Sequence, residues 1–307
     1  MPPSVAPWWR RRLPPPLFAW LLVVPVLAFF AIWNIVPLLW MIGLSFYRYI
    51  LTFGVNPVYV GLQNFSQILQ DYNVWAHIGL TVLFVIGAVG VETLLGVLLG
   101  FAFWGQTTLP GRRLALTLLF SPMVLAPVAV GTFFRLIYDP MYGILPYYIH
   151  QFFGVPAPNL LGNGSTAFLS VLATDVWMWT PFMILMTIAA LGAVPRAMLE
   201  ASAVDRLSIP RRLRYVIWPH AKFILVLGVL LRTIDAFKTF GLVSAMTAGG
   251  PGNATQLISL TLYREAFDSF SMGSASALAL FALFIAIAFT SIYLFVLNYQ
   301  KREVAAE

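Results

Sequence analysis

The fold of this chain is decided by EASAVDR at residues 200–206, a polar stretch between two apolar runs. Each of those runs is long enough to cross a membrane, which takes about 20 residues. Five arginines crowd into residues 196–214 around the polar stretch. Cytoplasmic loops of membrane proteins carry an excess of Lys and Arg. We therefore predict that residues 193–220 form a cytoplasmic loop, with an order of residues that suits docking onto another protein.

The composition excludes a soluble domain. Of the 307 residues, 60% are hydrophobic and only 9% are charged, and the mean hydropathy is +0.86, whereas soluble domains carry about 25% charged residues. The net charge of +7 would suit a nucleic acid, but the basic residues lie in short loops between apolar runs, so we predict membrane orientation and no nucleic-acid partner. Cysteine is absent, which excludes disulfides, thiolate metal sites and cysteine nucleophiles.

Six apolar runs predict an all-α polytopic membrane protein with six transmembrane helices. They lie at about residues 17–45, 75–104, 114–137, 168–192, 221–246 and 273–298. The first follows three arginines as a signal peptide would, but its apolar run is too long and lacks an A-x-A site, so we interpret it as a retained anchor. The domains are then a cytoplasmic segment 1–16, a transmembrane domain 17–298 and a cytoplasmic tail 299–307.

The charges of the loops alternate along the chain. The loops on one side, together with both terminal segments, contain twelve Lys and Arg residues, and the loops on the other side contain two. This asymmetry predicts that both termini and loop 193–220 lie in the cytoplasm.

Prolines divide the basic loop into short segments. Pro195 can start a helix, and the residues that follow it are good or fair helix formers. Pro210 is expected to end or bend that helix, and Pro219 marks the entry to the fifth span. The sequence therefore predicts a short helix, an elbow and a second short segment along the membrane surface.

This segment resembles the E-A-A-x-x-D-G loop in the membrane subunits of binding-protein-dependent ABC importers. The match holds at Glu200, Ala201 and Asp205, and at the later Pro219; Ser202 and Arg206 stand where the family usually has Ala and Gly. The resemblance implies a type I importer permease fold, in which this loop is the coupling helix that docks on a cytoplasmic ATPase subunit. The residues it implies for that contact are Glu200, Ala201, Ser202, Ala203, Asp205 and Arg206. The alternative is an ordinary basic loop that only sets the topology.

Three charged residues interrupt the fifth apolar run. Arg232, Asp235 and Lys238 are spaced by three residues, so neighbouring members can pair along one helix side. Each costs about 2.5–3.5 kcal/mol at mid-membrane on insertion scales, so their stripe, which continues to Thr239, should face the bundle interior or a water-filled path. Two interpretations stay open: an internal salt bridge that holds the bundle together, or a solute path or gate formed by Arg232, Asp235, Lys238 and Thr239.

Residues 232–240, 247–255 and 263–267 resemble the carbohydrate branch of the same importer family, which includes maltose, glycerol-phosphate and polyol permeases. Read physically, the Gly-Gly-Pro-Gly cluster at 249–252 predicts a tight extracytoplasmic turn. The resemblance to importer permeases covers about residues 17–298, which is nearly the whole chain.

Other polar and aromatic residues lie within the spans. Glu92 shares a helix row with Gly96 and Gly100, which favours an interhelical hydrogen bond and close helix packing over a proton relay. Asp175, Trp177 and Trp179 lie together in the fourth span. They are possible solute contacts, because an aromatic ring can stack on a sugar; anchoring at the membrane interface is the alternative for the two tryptophans.

Motifs that would indicate catalysis are missing from the sequence. It contains no G-x-x-x-x-G-K-[ST], no H-E-x-x-H and no G-x-S-x-G. We therefore expect no enzyme, no catalytic residue, no metal site and no cofactor in this chain; the energy would come from ATP and Mg on partner ATPase subunits.

The prediction is a multi-pass permease subunit in the plasma (inner) membrane of a bacterium or archaeon. It would move a sugar, oligosaccharide or polyol by alternating access. The partners that the family implies are a second permease, two ATPase subunits and an extracytoplasmic solute-binding protein. The alternatives are an ion-coupled secondary transporter, an integral-membrane enzyme, or an ABC permease for glycerol phosphate or another non-sugar solute; the sequence leaves the solute open.

Overall fold

Helices make up most of the computed structural model of this chain, which describes residues 15–53, 56–105 and 110–304. Most of the predicted cytoplasmic segment 1–16 falls outside the described residues, as do residues 305–307 of the predicted tail. The described chain forms two compact units, one made of residues up to 68 with 265–280, and the other of residues 69–264 with those after 280.

Fourteen α-helices lie within the described ranges. They are α1 (Pro15–Phe30), α2 (Val36–Leu44), α3 (Gln63–Gln70), α4 (Tyr72–Phe103), α5 (Arg112–Phe120), α6 (Pro127–Ile137), α7 (Ile144–Phe153), α8 (Gly164–Gly192), α9 (Arg196–Val204), α10 (Ile209–Arg212), α11 (Trp218–Phe237), α12 (Gly241–Met246), α13 (Ile258–Tyr263) and α14 (Met272–Val304).

Short helical turns of other types join some of these helices. The π-helical turns are Ala31–Ile35, Leu213–Ile217 and Arg264–Asp268, and the 3₁₀ turns are Leu51–Phe53 and Pro122–Val124.

The first unit contains a small sheet that the sequence did not predict. Strands β1 (Tyr47–Arg48) and β2 (Val58–Tyr59) pair antiparallel, with Tyr47 opposite Tyr59. Asn64 donates hydrogen bonds to the carbonyls of Ser45 and Tyr47, at 2.8 and 3.0 Å. This local structure follows the first span and leaves the helical fold class unchanged.

The predicted spans correspond to helices of sufficient length and hydropathy. Five such segments are Trp20–Leu44, Tyr72–Phe103, Gly164–Gly192, Ile209–Phe237 and Met272–Phe295. The predicted third span, 114–137, is instead a pair of segments, Arg112–Val124 and Pro127–Ile137, bent by 100°. Proline explains the break, because Ala126 before Pro127 takes an extended conformation and a residue before proline disfavours the helical one.

Helix α4 packs closely along α8, and the contacts fix their relative direction. A β-carbon on Gly87 would meet the Leu172 side chain at 3.3 Å, one on Gly96 would overlap Met183, and one on Gly100 would meet Thr187 at 2.6 Å. In these three contacts the residue numbers of α4 and α8 increase in the same order, so the two helices run parallel. Two parallel spanning helices need an odd number of crossings between them, so the bent pair of α5 and α6 crosses the membrane once. The close contact predicted for Gly96 and Gly100 is confirmed.

The predicted fifth helix, 221–246, is wrong at both ends. Residues 209–237 form one helical segment through a π-helical turn at Leu213–Ile217, so the predicted second short segment after the elbow is continuous with the helix that follows it. At its other end the helix stops at Phe237, and α12 begins at Gly241. Ser259 reaches into this gap and donates a hydrogen bond to the Thr239 carbonyl at 2.5 Å.

Apolar cores stabilise the second unit. One lies around Phe84, Val171, Met178 and Leu242, between α4, α8 and α12. Another lies around Leu191, Val216 and Ile217, beneath residues 193–220. The predicted tight turn at 249–252 is confirmed in its conformation, with positive φ at Gly249 and Gly252.

Gly100→Ala tests the close approach of α4 and α8. Overpacking a tight contact costs about 1–3 kcal/mol, so we expect a lower apparent unfolding temperature for the purified chain in detergent. The matched control is Gly90→Ala on the same helix, where a β-carbon would meet nothing within 4 Å. That variant should be neutral or slightly stabilised, because Ala favours helix more than Gly does. Equal effects of the two substitutions would contradict the proposed contact.

Candidate functional site

A buried arginine joins three spanning helices. Arg232 on α11 is only 1% exposed, and its guanidinium binds Glu92 on α4 through two bonds, from Nε at 2.7 Å and from the terminal nitrogen Nη2 at 3.0 Å. Nη2 also contacts Asp175 on α8. The remaining nitrogen reaches Asp235 one turn further along α11, at 3.3 Å. The guanidinium therefore has three carboxylate partners. We call Arg232, Glu92, Asp175 and Asp235 the charged cluster.

The arrangement satisfies the strong demand of a buried guanidinium for acceptors. A bidentate arginine–carboxylate pair is one of the strongest hydrogen-bonded contacts in proteins. The face of the guanidinium lies over the Trp179 ring, 4.9 Å from its centroid, which adds a cation–π contact. Glu92 and Asp175 are buried as well, while the Asp235 side chain is 44% exposed. Asp235 therefore forms the edge of the charged cluster.

The sequence predicted part of this cluster. The Arg232–Asp235 pair along one helix is observed, and Glu92 forms the interhelical hydrogen bond that its position favoured. The pairing of Asp235 with Lys238 is not observed, because Lys238 lies beyond the end of α11 and makes no ion pair within the described part of the chain. The sequence did not predict that Glu92 and Asp175 both bind Arg232. It could have suggested this pairing, because all three are charged residues within apolar runs.

An open cavity of about 300 Å³ lies beside the charged cluster. Its lining comes from α6, α8, α11, α12 and the gap between the last two: Pro127, Val128, Asp175, Met178, Trp179, Asp235, Lys238, Thr239, Phe240, Gly241 and Leu242. Five residues singled out in the sequence thus meet in one place, namely Asp175, Trp179, Asp235, Lys238 and Thr239. A mostly apolar cavity with a few convergent polar groups is typical of small-molecule sites.

The two tryptophans of α8 have different surroundings. Trp179 contacts the Arg232 guanidinium through its ring and also lines the cavity. Trp177 is 43% exposed, packs on Phe134 with ring centroids 5.0 Å apart, and does not line the cavity. The structure therefore separates Trp177 from the other predicted solute contacts.

Two interrupted helices contribute residues to the lining of the cavity. Pro127 and Val128 begin the second half of the bent pair, and Lys238 to Phe240 occupy the gap between α11 and α12. A continuous helix would use its backbone groups internally and fill this space. The breaks therefore provide room for the cavity and bring Lys238 and Thr239 into its lining.

The basic loop presents a small exposed helix. In α9 the side chains of Glu200, Ala201 and Ala203 are exposed, as are Asp205 and Arg206 just after it. Ser202 differs: it is 3% exposed and its hydroxyl donates to the Leu199 carbonyl at 2.7 Å. Ser202 therefore supports the helix from within and does not belong to the exposed surface predicted for ATPase contact.

Arg206 takes the conformation that glycine would favour. Its φ is 52°. The two hydrogen bonds of a Schellman C-cap are present: the Arg206 N–H donates to the Ala203 carbonyl at 3.1 Å, and the Leu207 N–H donates to the Ser202 carbonyl at 3.0 Å. A residue with a β-carbon pays about 1–2 kcal/mol in this region. Leu207 packs against the apolar core beneath the loop, which holds the elbow in place. Helix α9 thus ends at this cap, and Pro210 starts the next helix instead of ending α9.

Comparison with known proteins identifies the family. Residues 92–305 match the model of the binding-protein-dependent transport system inner membrane component. The chain belongs to this family. This transport family was predicted from the EASAVDR segment and from the residues around Arg232, so the prediction is confirmed.

Curated relatives of this transport component match over most of its length. The trehalose/maltose transport system permease protein MalF of Thermococcus litoralis is 31% identical over 285 residues, which cover 92% of this chain and 94% of the relative. The sn-glycerol-3-phosphate transport system permease protein UgpA of Agrobacterium fabrum is 30% identical over 240 residues, covering 78% and 80%.

Solved structures share the fold of this inner membrane component. A bacterial ABC transporter involved in the import of the acidic polysaccharide alginate matches with a TM-score of 0.74, covering 94% of this chain and 96% of that one. A second structure of the alginate transporter, in complex with alginate pentasaccharide-bound periplasmic protein, gives a TM-score of 0.78 over 94% and 95%. Both are 16% identical in sequence, so they establish the likeness of fold alone.

Arg232→Leu tests the role of the charged cluster in holding the helices together. It leaves Glu92 and Asp175 buried without a counter-charge, and breaking a buried ion pair in this way costs about 3–5 kcal/mol. We expect little chain to be extracted as a monodisperse species, with a much lower unfolding temperature. Asp235→Asn is the control, since a half-exposed pair contributes at most about 1 kcal/mol. A mild effect of Arg232→Leu, similar to that of the control, would contradict this assignment.

Proposed function

We propose that this chain is the permease subunit of an ATP-driven importer for a sugar, oligosaccharide or polyol, with the cavity beside the charged cluster as part of the solute path. The observation that carries the proposal is the convergence of Asp175, Trp179, Asp235, Lys238 and Thr239 on that cavity. Carboxylates and a lysine can hydrogen-bond sugar hydroxyls, and the Trp179 ring offers a flat apolar face.

The partners in this proposal are a second permease, two ATPase subunits that hold ATP and Mg, and an extracytoplasmic solute-binding protein. The similarity to a trehalose/maltose permease supports the carbohydrate class. The likeness to an alginate transporter crystallised with its periplasmic protein supports delivery by a binding protein. Both termini and residues 193–220 are placed in the cytoplasm, as the distribution of Lys and Arg indicates.

A mechanical connection between the two regions supports alternating access. The exposed helix α9 is followed directly by the helical segment Ile209–Phe237, which carries Arg232 and Asp235 near its far end. At 1.5 Å per residue this segment is roughly 40 Å long. Movement of α9 by an ATPase subunit would therefore reach the charged cluster through one helix, with the π-helical turn at Leu213–Ile217 as a place where it can bend.

A second candidate solute is glycerol phosphate. The similarity to the UgpA permeases favours it, and the exposed Lys238 offers a cation in the cavity lining. Two carboxylates in the same lining oppose an anionic solute, which is why we prefer a neutral one.

The function is tested by uptake into proteoliposomes that contain the chain with its second permease and ATPase subunits, in the presence of the solute-binding protein. We expect uptake of a labelled neutral sugar to require internal ATP and to persist when ionophores remove ion gradients. Uptake driven by an ion gradient without ATP would establish the secondary transporter instead. Uptake of glycerol phosphate in preference to sugars would favour the second candidate.

Ala203→Asp tests the proposed ATPase contact. A charge placed in a small, closely docked surface costs several kcal/mol, so uptake and co-purification of the ATPase subunits should both fall at least about tenfold. The matched control is Ala203→Ser, which keeps the residue small and should preserve both. The chain itself should insert into the membrane normally, because Ala203 is exposed. Unchanged uptake with unchanged co-purification in Ala203→Asp would overturn the contact.

Trp179→Ala tests the cavity as a solute site. Stacking on an aromatic ring is lost, and we expect uptake at low solute concentration to fall about tenfold, since such contacts contribute on the order of 1 kcal/mol or more. Trp177→Ala is the control, because Trp177 lies outside the cavity lining; its uptake should stay within about twofold. Trp179→Phe keeps a ring for both Arg232 and the solute and should retain most of the uptake. Equal losses in Trp177→Ala and Trp179→Ala would exclude the cavity as the path.

A further inference from the structure

A second cavity, distinct from the one beside the charged cluster, opens near the basic loop. Its volume is about 580 Å³. Three arginines line it, each from a different helix: Arg112 at the start of α5, Arg196 at the start of α9, and Arg212 at the end of α10. The rest of the lining is largely apolar and includes Trp104 and Leu191.

Among the residues that the structure describes, the arginines in this second cavity have no carboxylate partner. Every ion pair found among the described residues involves Arg232, so none reaches Arg112, Arg196 or Arg212. The Nε atoms of Arg112 and Arg212 are buried and find no hydrogen-bond acceptor within the described ranges 15–53, 56–105 and 110–304. Leaving such a donor unsatisfied costs about 1–3 kcal/mol. Residues 106–109, which lie outside the described residues, are Gln, Thr, Thr and Leu, so their side chains bring no carboxylate.

Three guanidinium groups around one cavity indicate an anion with several acceptor oxygens. Arginine binds phosphate through paired hydrogen bonds in a fixed geometry. The apolar part of the lining would make no favourable contact with a free phosphate ion, but it can pack against the glycerol and acyl region of a lipid. Basic pockets between spanning helices on the cytoplasmic side are a known setting for anionic headgroups.

We propose that the cavity lined by Arg112, Arg196 and Arg212 binds the phosphate headgroup of an anionic phospholipid from the cytoplasmic leaflet. The inference rests on the cytoplasmic orientation proposed above, but it requires neither the solute nor the ATPase contact. A bound headgroup would link α5 and α10 to the first residue of α9. It would therefore fix the start of the exposed helix relative to the spanning helices on either side.

The test is a lipid titration of the full-length purified chain in neutral detergent, read out as thermal stability and as lipid adducts in native mass spectrometry. Dioleoyl phosphatidylglycerol should raise the unfolding temperature and form a one-to-one adduct. Dioleoyl phosphatidylcholine has the same phosphodiester but no net charge and should do neither. Sodium phosphate alone should give no comparable shift; if it gives the full shift, the site takes a soluble anion and the lipid assignment is overturned.

The variant that removes the site is Arg112→Gln with Arg212→Gln. We expect it to weaken phosphatidylglycerol binding about tenfold or more. Without lipid it should be at least as stable as the parent, because two half-buried guanidinium groups, each with an unsatisfied buried Nε, are gone. That measurement also shows that the variant folds. The matched control is Arg113→Gln with Arg211→Gln, which removes the same charge from adjacent exposed positions outside the lining.

Two further outcomes would overturn the proposal. If the control variant loses as much binding as the cavity variant, the attraction is a general effect of surface charge. If addition of the ATPase subunits displaces the lipid adduct in the parent chain, an acidic side chain of that protein occupies the cavity. These readouts do not use transport, so failure here leaves the proposed importer function to be judged by its own uptake experiments.

Discussion

A positive charge within an apolar helix is the constraint on which the rest of this structure depends. Arg232 cannot be neutralised by losing a proton under ordinary conditions, and leaving it unpaired in a membrane is costly. Glu92 and Asp175 therefore have to come to it from two other spanning helices. The parallel packing of α4 on α8, set by small residues at Gly96 and Gly100, brings both carboxylates within hydrogen-bond distance of the arginine. The close packing of α4 on α8 and the pairing of Arg232 with Glu92 and Asp175 thus depend on each other.

The same arginine organises the proposed solute site. It holds the Trp179 ring from one side, and its partners Asp175 and Asp235 reach the cavity lining. The cavity itself exists because two helices are interrupted next to it, one at Pro127 and the other after Phe237. A charged cluster with several hydrogen bonds therefore lies directly beside an interrupted helix.

The basic loop and the charged cluster lie at opposite ends of one helical segment, Ile209–Phe237. The loop ends α9 with a C-cap in which Arg206 carries the strain that a glycine would avoid, and apolar packing of Leu207 compensates for it. The exposed part of α9 is small and regular, while Ser202 faces inward. Such a helix offers a docking surface whose position is fixed by the chain itself, and by a headgroup in the arginine-lined cavity under the proposal made here.

Sequence reasoning predicted the class of fold and most of the chemistry, but missed several boundaries and pairings. Within the described residues, hydropathy located six apolar segments, counting the bent pair as one, since each must present apolar side chains along its length. It missed the 100° bend in the third, where the residues around Pro127 remain apolar. It also missed the break at Lys238, because hydropathy averaged over a span does not show at which residue a helix ends. Arg232 and Asp235 were predicted as neighbours because they share one helix; Glu92 and Asp175 were not assigned to Arg232, because nothing in their spacing says which helices touch.

What the sequence by itself determined is everything that depends on local composition: the apolar segments long enough to span a membrane, the small helix α9, and the transport family. Tertiary structure alone decided which charges meet, which tryptophan lines the cavity, and that three distant arginines surround a second cavity. The physical reason is that hydropathy and helix propensity act over a few turns of one segment, whereas pairing energy depends on distances between segments 57 and 140 residues apart in the chain. Those distances are set only when the helices pack.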